Sequence, residues 1–342
     1  MSLAHARPLI SVVLPCFNEA ENLDVLFQRL IPVLESLGTE FEIICVNDGS
    51  RDKTLSELLR YHQRWPVIKV LDLSRNFGKE IALSAGIDAA SGDAVIPIDA
   101  DLQDPPELIQ EMVAKWREGF DVVYAVRRTR QGESWLKRMT ADWFYQVIDR
   151  LSRVPIPRNT GDFRLMDRRV VAAVKQMRER TRFMKGIFAW VGYRQAAIYY
   201  DRSPRYQGHS KWNYWRLWNL ALEGITSFSS LPLRIWSYIG VFISFLAFLY
   251  ACVLITRTLL FGVDVPGYAS LVVIILFLGG IQLISLGIIG EYIGRIFEEV
   301  KARPLYLIRQ QYGFTAQTNG DPPLKQAEPN QMISGSEEGS LN

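Results

Sequence analysis

Two uncharged runs limit what this chain can become more than any other feature. Ile235–Ile255 is 21 residues without a charged side chain, and Val265–Gly290 is 26. As a helix the first run spans roughly 31 Å, about one bilayer hydrocarbon core. A buried hairpin in a soluble domain is the competing reading, but two such runs side by side are rare there. Only nine residues separate them, so a transmembrane hairpin (about 235–257 and 265–290) is expected, with both long flanks on one side. Those flanks are basic: Arg202, Arg205, Lys211, Arg216 and Arg234 before, Arg295, Lys301, Arg303 and Arg309 after. The positive-inside rule then assigns residues 1–212 and the C-terminus to the cytoplasmic face of a multi-pass inner-membrane protein.

The first 130 residues follow a different pattern. Apolar strand-like runs at Leu9–Leu14, Phe41–Val46, Val67–Leu71, Ala94–Ile98 and Val122–Val126 alternate with helical patterns near Glu19–Leu37, Lys53–Tyr61, Lys79–Ala90 and Pro106–Glu118. Such alternation predicts βαβ units and a parallel sheet covered on both faces. Ala196–Tyr200 is expected as an edge strand. Residues 213–234, with Trp215, Trp218 and Leu222 at helical spacing, suit an amphipathic helix lying in the membrane interface. Residues 291–313 would be a cytoplasmic juxtamembrane segment, and 314–342 reads as a disordered tail. Three distant cysteines, Cys16, Cys45 and Cys252, argue against a disulfide framework.

Ligands of open α/β sheets bind at the carboxyl ends of the strands, where the polar clusters fall. Strand one ends in Pro15-Cys-Phe-Asn-Glu19, strand two in Asn47-Asp-Gly-Ser50, strand three in Ser74-Arg-Asn-Phe-Gly-Lys79, and strand five in Arg127-Arg128. No G-x-G-x-x-G follows strand one, and Gly78-Lys79 lacks the rest of a P-loop, so a glycine-rich phosphate cradle is excluded. Strand four ends in Asp99-Ala-Asp-Leu-Gln-Asp-Pro-Pro-Glu107. Asp99 and Asp101, two residues apart, can converge on one hard divalent cation, Mg²⁺ or Mn²⁺, with Gln103 as a further oxygen donor. Asp104 and Glu107 fit the alternative of serving the following helix, with Asp104 as its N-cap.

With these segments in view, PCFNE, VNDGSRDKT, LSRNFGKE, DADLQDPPE, Asn159–Arg164 and Arg205–Trp212 together resemble glycosyltransferase family 2. The resemblance is closer to the membrane-bound polyprenyl-phosphate glycosyltransferases, the group of dolichol-phosphate mannose synthases and bactoprenol glucosyltransferases. It covers roughly residues 9–312. It implies a GT-A (Rossmann-like) α/β catalytic domain followed by the two-helix hairpin. Pro15, Phe17, Glu19 and Asp48 would bind the nucleotide, Asp48 accepting from a base N–H, although Asp48-Gly49 also suits an ordinary turn. Asp99, Asp101 and Gln103 would match the family's metal motif. Lys79, Arg127, Arg128, Arg205, Ser210 and Lys211 would face phosphates, the last four on the acceptor side, with Arg128, Lys211 and Asp101 also counted as catalytic. Asp162 occupies a position often treated as catalytic, with orientation of the acceptor, a sugar hydroxyl or an arginine as its expected job.

The implied reaction is inverting, metal-dependent transfer of a hexose from a nucleotide sugar to a membrane polyprenyl phosphate. A UDP-sugar is favoured, and glucose is preferred over GDP-mannose or other donors by family analogy alone. No nucleic-acid partner is expected, and self-association is compatible with so small an anchor. A processive synthase is disfavoured because Gln176-Met-Arg-Glu-Arg180 does not form a Q-x-x-R-W segment. A non-catalytic nucleotide-sugar sensor or scaffold is the remaining alternative.

Overall fold

A computed structural model of the chain describes residues 7–128, 160–180, 182, 184–201, 231–261 and 267–314. Its centre is an eight-stranded sheet. The strands are β1 (Leu9–Cys16), β2 (Glu40–Asn47), β3 (Ile68–Leu73), β4 (Ala94–Pro97), β5 (Val122–Arg127), β6 (Thr160–Asp167), β7 (Gln195–Tyr200) and β8 (Ile308–Tyr312). Their spatial order is β7-β5-β6-β4-β1-β2-β3-β8. The chain builds outward from β1 through β2 to β3, then returns to place β4 on the other side of β1. All three contacts are parallel. That reversal between β1 and β4 is the topological switch point, where open α/β sheets leave a crevice.

The helices between strands are α1 (Leu23–Ser36), α2 (Thr54–Arg64), α3 (Lys79–Ala89), α4 (Leu108–Arg117), α5 (Arg168–Gln176) and α6 (Met184–Trp190). Strand side chains alternate between faces. Accordingly Val12, Leu14, Ile43 and Cys45 pack with α1, α2 and α4, while Val13, Ile44 and Val46 pack on the face that carries α3. On α1 the buried positions Leu23, Leu26, Phe27, Leu30 and Leu34 follow the three-to-four spacing of one helix face. Helix α3 lies unusually close to the sheet. A Cβ on Gly86 would come within 2.3 Å of Val13 Cγ1, so glycine there lets the helix seat and aims its first residue, Lys79, at the strand ends.

The expected strands and helices of the first 130 residues are present, with ends shifted by a few residues. Helix α1 starts later than expected, at Leu23 rather than Glu19. The expected all-parallel sheet is corrected to a mixed one. β6 runs antiparallel between β4 and β5, and β8 runs antiparallel along β3. Strand β6 carries the catalytic candidate Asp162, and its burial on both sides follows from its central position. The edge strand expected at Ala196–Tyr200 is β7, paired parallel to β5.

Two long helices follow, α7 (Leu231–Phe261) and α8 (Tyr268–Lys301). Phe242, Phe245 and Phe248 on α7, and Phe277, Leu283 and Leu286 on α8, are exposed. Apolar surface of this extent calls for an apolar surrounding. Among the described residues, Phe277–Lys301 is long and apolar enough to cross a membrane. Helix α8 continues past the expected limit at Gly290 to Lys301, and carries Glu291, Arg295 and Glu299 beyond the apolar stretch. Of the interfacial helix expected at 213–234, residues 231–234 belong to α7 instead, while 213–230 and the tail from 315 onward lie outside the described residues. Cys16, Cys45 and Cys252 are free thiols.

Candidate active site

Loops from five strands and the start of α3 meet at the switch point. After β1, Phe17 and Glu19 follow Pro15 in a turn through Asn18, which adopts a left-handed φ of 57°. That turn is tied to the loop after β2. Asn18 N donates to Ser50 Oγ at 3.0 Å, Arg51 N donates to Asn18 Oδ1 at 2.8 Å, and Glu19 N donates to Thr54 Oγ1 at 2.9 Å. Asp48 is buried, and its two oxygens accept from Phe77 N at 2.7 Å and Gly78 N at 2.9 Å. Burial raises its carboxyl, and those two N–H donors oppose the rise. The structure therefore gives Asp48 the task of holding the loop before α3. Gly49 (φ +63°) lies so close to that loop that a Cβ would sit 2.5 Å from the Arg75 carbonyl carbon.

On β4's side, Asp101 Oδ1 accepts from Gln103 N at 3.2 Å. Leu102 between them is buried in a left-handed conformation, φ 60°. A bulky residue held there is strained, and such strain recurs where a loop must present groups in one geometry. The next residue corrects an expectation. Helix α4 begins at Leu108, its N-cap Glu107 makes no side-chain cap, and Glu107 instead pairs with Arg29 at 2.9 Å. Asp104 does not cap the helix. It is buried beneath the site, where it accepts from the Tyr200 hydroxyl and faces Arg127 Nη2 at 3.8 Å. Arg127 Nε in turn donates to Tyr200 Oη at 3.1 Å. A hydroxyl from β7 and a guanidinium from β5 outcompete the nearby helix start, because only they satisfy the carboxylate once it is buried.

The centre of the site is a lysine between two acids. Lys79 Nζ lies 2.8 Å from Asp99 and 2.7 Å from Asp162 Oδ2. Asp162 reaches it because β6 runs antiparallel beside β4, which brings the start of β6 to the end of β4. The Asp162 side chain is 9% exposed. Burial by itself would raise its carboxyl, but the Lys79 ammonium brings it down to about 2. Burial likewise would lower Lys79, and Asp99 with Asp162 instead raises it. Asp162 Oδ1 is buried with no hydrogen-bond partner among the described residues. A buried acceptor left open in this way fits a group supplied by a ligand.

Three supporting residues were missed or, in the case of Asp104, misread in the sequence. Arg164 stands two positions from Asp162 on the same strand face, donates to Gly161 O at 2.9 Å and stacks on Phe188 at 4.2 Å. Burial lowers it to about 10. Asp104 is the second. The third is Glu80, whose Oε2 accepts from Met184 N at 3.3 Å. Burial and the charge of Asp162 push Glu80 up to about 7. The i, i+2 spacing of Asp162 and Arg164 was the one available signal.

The Glu80 shift has a testable sign. Its folded pKa lies above its ordinary value of 4.5, so the folded state holds a proton that the unfolded chain releases. Stability therefore falls as pH rises through the window from 4.5 to 7, and the loss is complete above it. Asp162 has the opposite sign, losing stability only as pH falls through about 2. Between pH 5 and 8 the melting temperature should thus decline in the parent and decline less in Glu80→Gln. Equal slopes in the two proteins would refute the assignment.

Among the described residues no three His, Cys, Asp or Glu side chains cluster as a self-sufficient metal site. The donors present still fit a divalent cation of the Mg²⁺ type, which takes one or two carboxylates and completes its shell with water and substrate phosphate. Asp99 and Asp101 would hold it, and Gln103 would add an oxygen. Next to Lys79 and Glu80 opens a cavity of about 860 Å³, bounded also by Arg182 and by Glu291, Gly294 and Arg295 of α8. Arg128 is exposed at the end of β5. Arg205, Ser210 and Lys211 lie outside the described residues.

A mixed α/β sheet with acids at its switch point, joined to an apolar helical hairpin, is the architecture of a membrane-attached GT-A transferase. Comparison with known proteins agrees. The Glycosyl transferase family 2 profile matches residues 11–174, and the GtrB C-terminal hairpin profile matches residues 231–296. An uncharacterized glycosyltransferase of Synechocystis is 66% identical over 89% of this chain and 96% of its own length. The SfII prophage-derived bactoprenol glucosyl transferase of Shigella flexneri is 52% identical over 89% and 98%. A solved glucosyl-3-phosphoglycerate synthase of Mycobacterium tuberculosis with Mn²⁺ and UDP-glucose aligns over 64% of this chain and 78% of that one. Its 19% identity and TM-score of 0.44 make a likeness too distant to locate ligands here. The chain belongs to glycosyltransferase family 2, in the group that carries the GtrB hairpin.

Proposed function

We propose that this enzyme transfers glucose from UDP-glucose to a membrane polyprenyl phosphate, with inversion at the sugar. The observation that carries the reading is the Asp99–Lys79–Asp162 cluster set at the switch point, whose Lys79 also lines a cavity walled by α8. The 52% identical relative is named for glucosyl transfer and bactoprenol, which supports the same sugar and acceptor class.

Pro15, Phe17, Glu19 and the loop braced by Asp48 form the nucleotide subsite. A divalent cation, when bound by Asp99 and Asp101, supplies Lewis-acid stabilisation of the leaving diphosphate. Lys79 adds a positive charge where donor and acceptor phosphates converge, which Coulomb repulsion would otherwise keep apart. A phosphate monoester is already largely ionised at neutral pH, so its oxygen attacks the sugar C1 without a strong base. The C1–O bond to the diphosphate breaks, and the nucleoside diphosphate leaves with the electron pair. Asp162, kept ionised by Lys79, orients rather than deprotonates. Arg127 and Arg128 line the donor and acceptor sides, and Arg205, Ser210 and Lys211 complete the acceptor phosphate subsite.

The sheet supports the same reading of the topology. Strands before the hairpin and β8 after it belong to one sheet, so the chain crosses the bilayer an even number of times between them. With α8 crossing, α7 crosses as well, and the basic flanks put the catalytic sheet on the cytoplasmic leaflet. The full-length protein in membranes, given labelled UDP-glucose and polyprenyl phosphate, should produce lipid-extractable label that depends on both. GDP-mannose should be a poor substitute. Absence of lipid-linked label with every UDP- and GDP-sugar tried would overturn the reading in favour of a non-catalytic sensor.

A further inference from the structure

The strand that follows the second long helix is joined to the donor subsite, not merely to the sheet edge. The chain is pinned three times before β8 begins, once in the last turn of α8 and twice beyond it. Arg180 N donates to Glu299 Oε1 at 2.6 Å, Tyr306 Oη donates to Asp88 at 3.0 Å, and Ser74 N donates to Leu307 O at 2.9 Å. Strand β8 then pairs with β3, but the register jumps: Asp72 faces Gln310 and Leu73 faces Ile308. Arg309 is the extra residue. A bulge of this kind redirects the side chain it carries, and here it turns Arg309 onto the end of β3. Arg309 Nη1 lies 3.3 Å from Asp72 Oδ2, and Nη2 donates to Ser74 O at 2.7 Å.

Asp72 is a carboxylate only 1% exposed. Its other oxygen accepts from Asn47 Nδ2 at 2.7 Å, and Asn47 Oδ1 accepts from Ser50 N at 3.3 Å. Ser50 Oγ accepts from Asn18 N. An unbroken run of hydrogen bonds thus leads from Arg309 through Asp72 and Asn47 to the turns after β2 and β1. The second branch, through Ser74 O, holds the start of the loop whose Phe77 and Gly78 N–H groups grip Asp48. We infer that Arg309 is a positioning residue for donor binding, holding the nucleotide loops in their binding geometry from the strand that exits the membrane helix. This inference rests on the donor subsite proposed above. Because α8 and Arg309 are separated by a few residues pinned to the sheet, the membrane anchor and the nucleotide loops form one braced unit. The distances assign Arg309 no contact with the reacting groups.

The test uses full-length protein in detergent, with UDP and Mn²⁺ as the probe in calorimetry. Arg309→Gln leaves the buried Asp72 carboxylate without its cation, and should weaken UDP binding about tenfold, the equivalent of one charge-assisted hydrogen bond. Transfer at saturating donor should stay within about twofold of the parent, since no group at the sugar is lost. Arg309→Lys, which keeps the charge but cannot serve Asp72 and Ser74 together, should fall between, at about threefold. Adding Asp72→Asn to Arg309→Gln should recover part of the affinity. Tyr306→Phe, which loosens the same segment without touching the relay, should bind UDP like the parent. The inference is overturned if Arg309→Gln binds UDP as tightly as the parent, or if Tyr306→Phe weakens binding equally. Should Arg309→Gln fail to fold, Arg309→Lys decides by the same criterion. A parent that binds no uridine nucleotide would instead overturn the donor reading beneath it.

Discussion

Lys79→Met is expected to lower sugar transfer about 10³-fold and, separately, to cost about 1–3 kcal/mol of stability, less than a fully buried pair because Lys79 is half-exposed. The stability loss arises because Asp162 is nearly inaccessible, with Lys79 at 2.7 Å as its closest cation. Removing one partner of such a pair strands a charge that burial penalises, and the carboxyl, now held near 2, would rise toward protonation. The two losses can be separated. In Lys79→Met/Asp162→Asn the stranded charge is gone, so thermal unfolding should return close to the parent while transfer stays lost. If the double variant regained transfer along with stability, Lys79 would be a structural residue only. A Lys79→Met protein with parental melting temperature would contradict the ion-pair account itself.

The second large effect concerns the acids after β4. Asp101→Asn should reduce transfer about 10³-fold with either Mg²⁺ or Mn²⁺, because a carboxylate shared between a cation and the diphosphate cannot be replaced by a neutral amide. Binding supplies an independent readout. Chelation should weaken UDP binding to the parent by at least about tenfold, whereas Asp101→Asn should bind UDP weakly and equally with and without chelator. Equal metal dependence in the two proteins would remove Asp101 from the metal set. The amide preserves the turn, since its Oδ1 can still accept from Gln103 N, so loss of the loop's shape does not explain the result.

Both effects meet at a point where residues distant in the chain converge, and that explains what was legible beforehand. Asp99 and Asp101 stood out because two acids two residues apart, just past an apolar strand, lie too far before the next helix to serve its start. Asp104 was misread for the converse reason. A local use, the helix start, was at hand, and nothing in the neighbouring residues announces that Tyr200 and Arg127 will claim it. Glu80 carries no pattern that separates it from surface charges, and Arg164 offers only its i, i+2 spacing from Asp162. Only burial against Asp162 and Phe188 gives them their roles.

By itself, the sequence determined the alternation of strands and helices, the apolar hairpin and the acidic turn after the fourth strand. Each rests on short-range physics: side-chain period, the length of an uncharged run, the charge of adjacent residues. Only the tertiary structure decided that β6 enters antiparallel beside β4, which brings Asp162 to Lys79. It alone decided that the segment after α8 returns as β8 and carries Arg309 onto Asp72. Strand pairing joins residues far apart in the chain, and its register is selected by how all the buried faces fit at once. No window of adjacent residues contains that information.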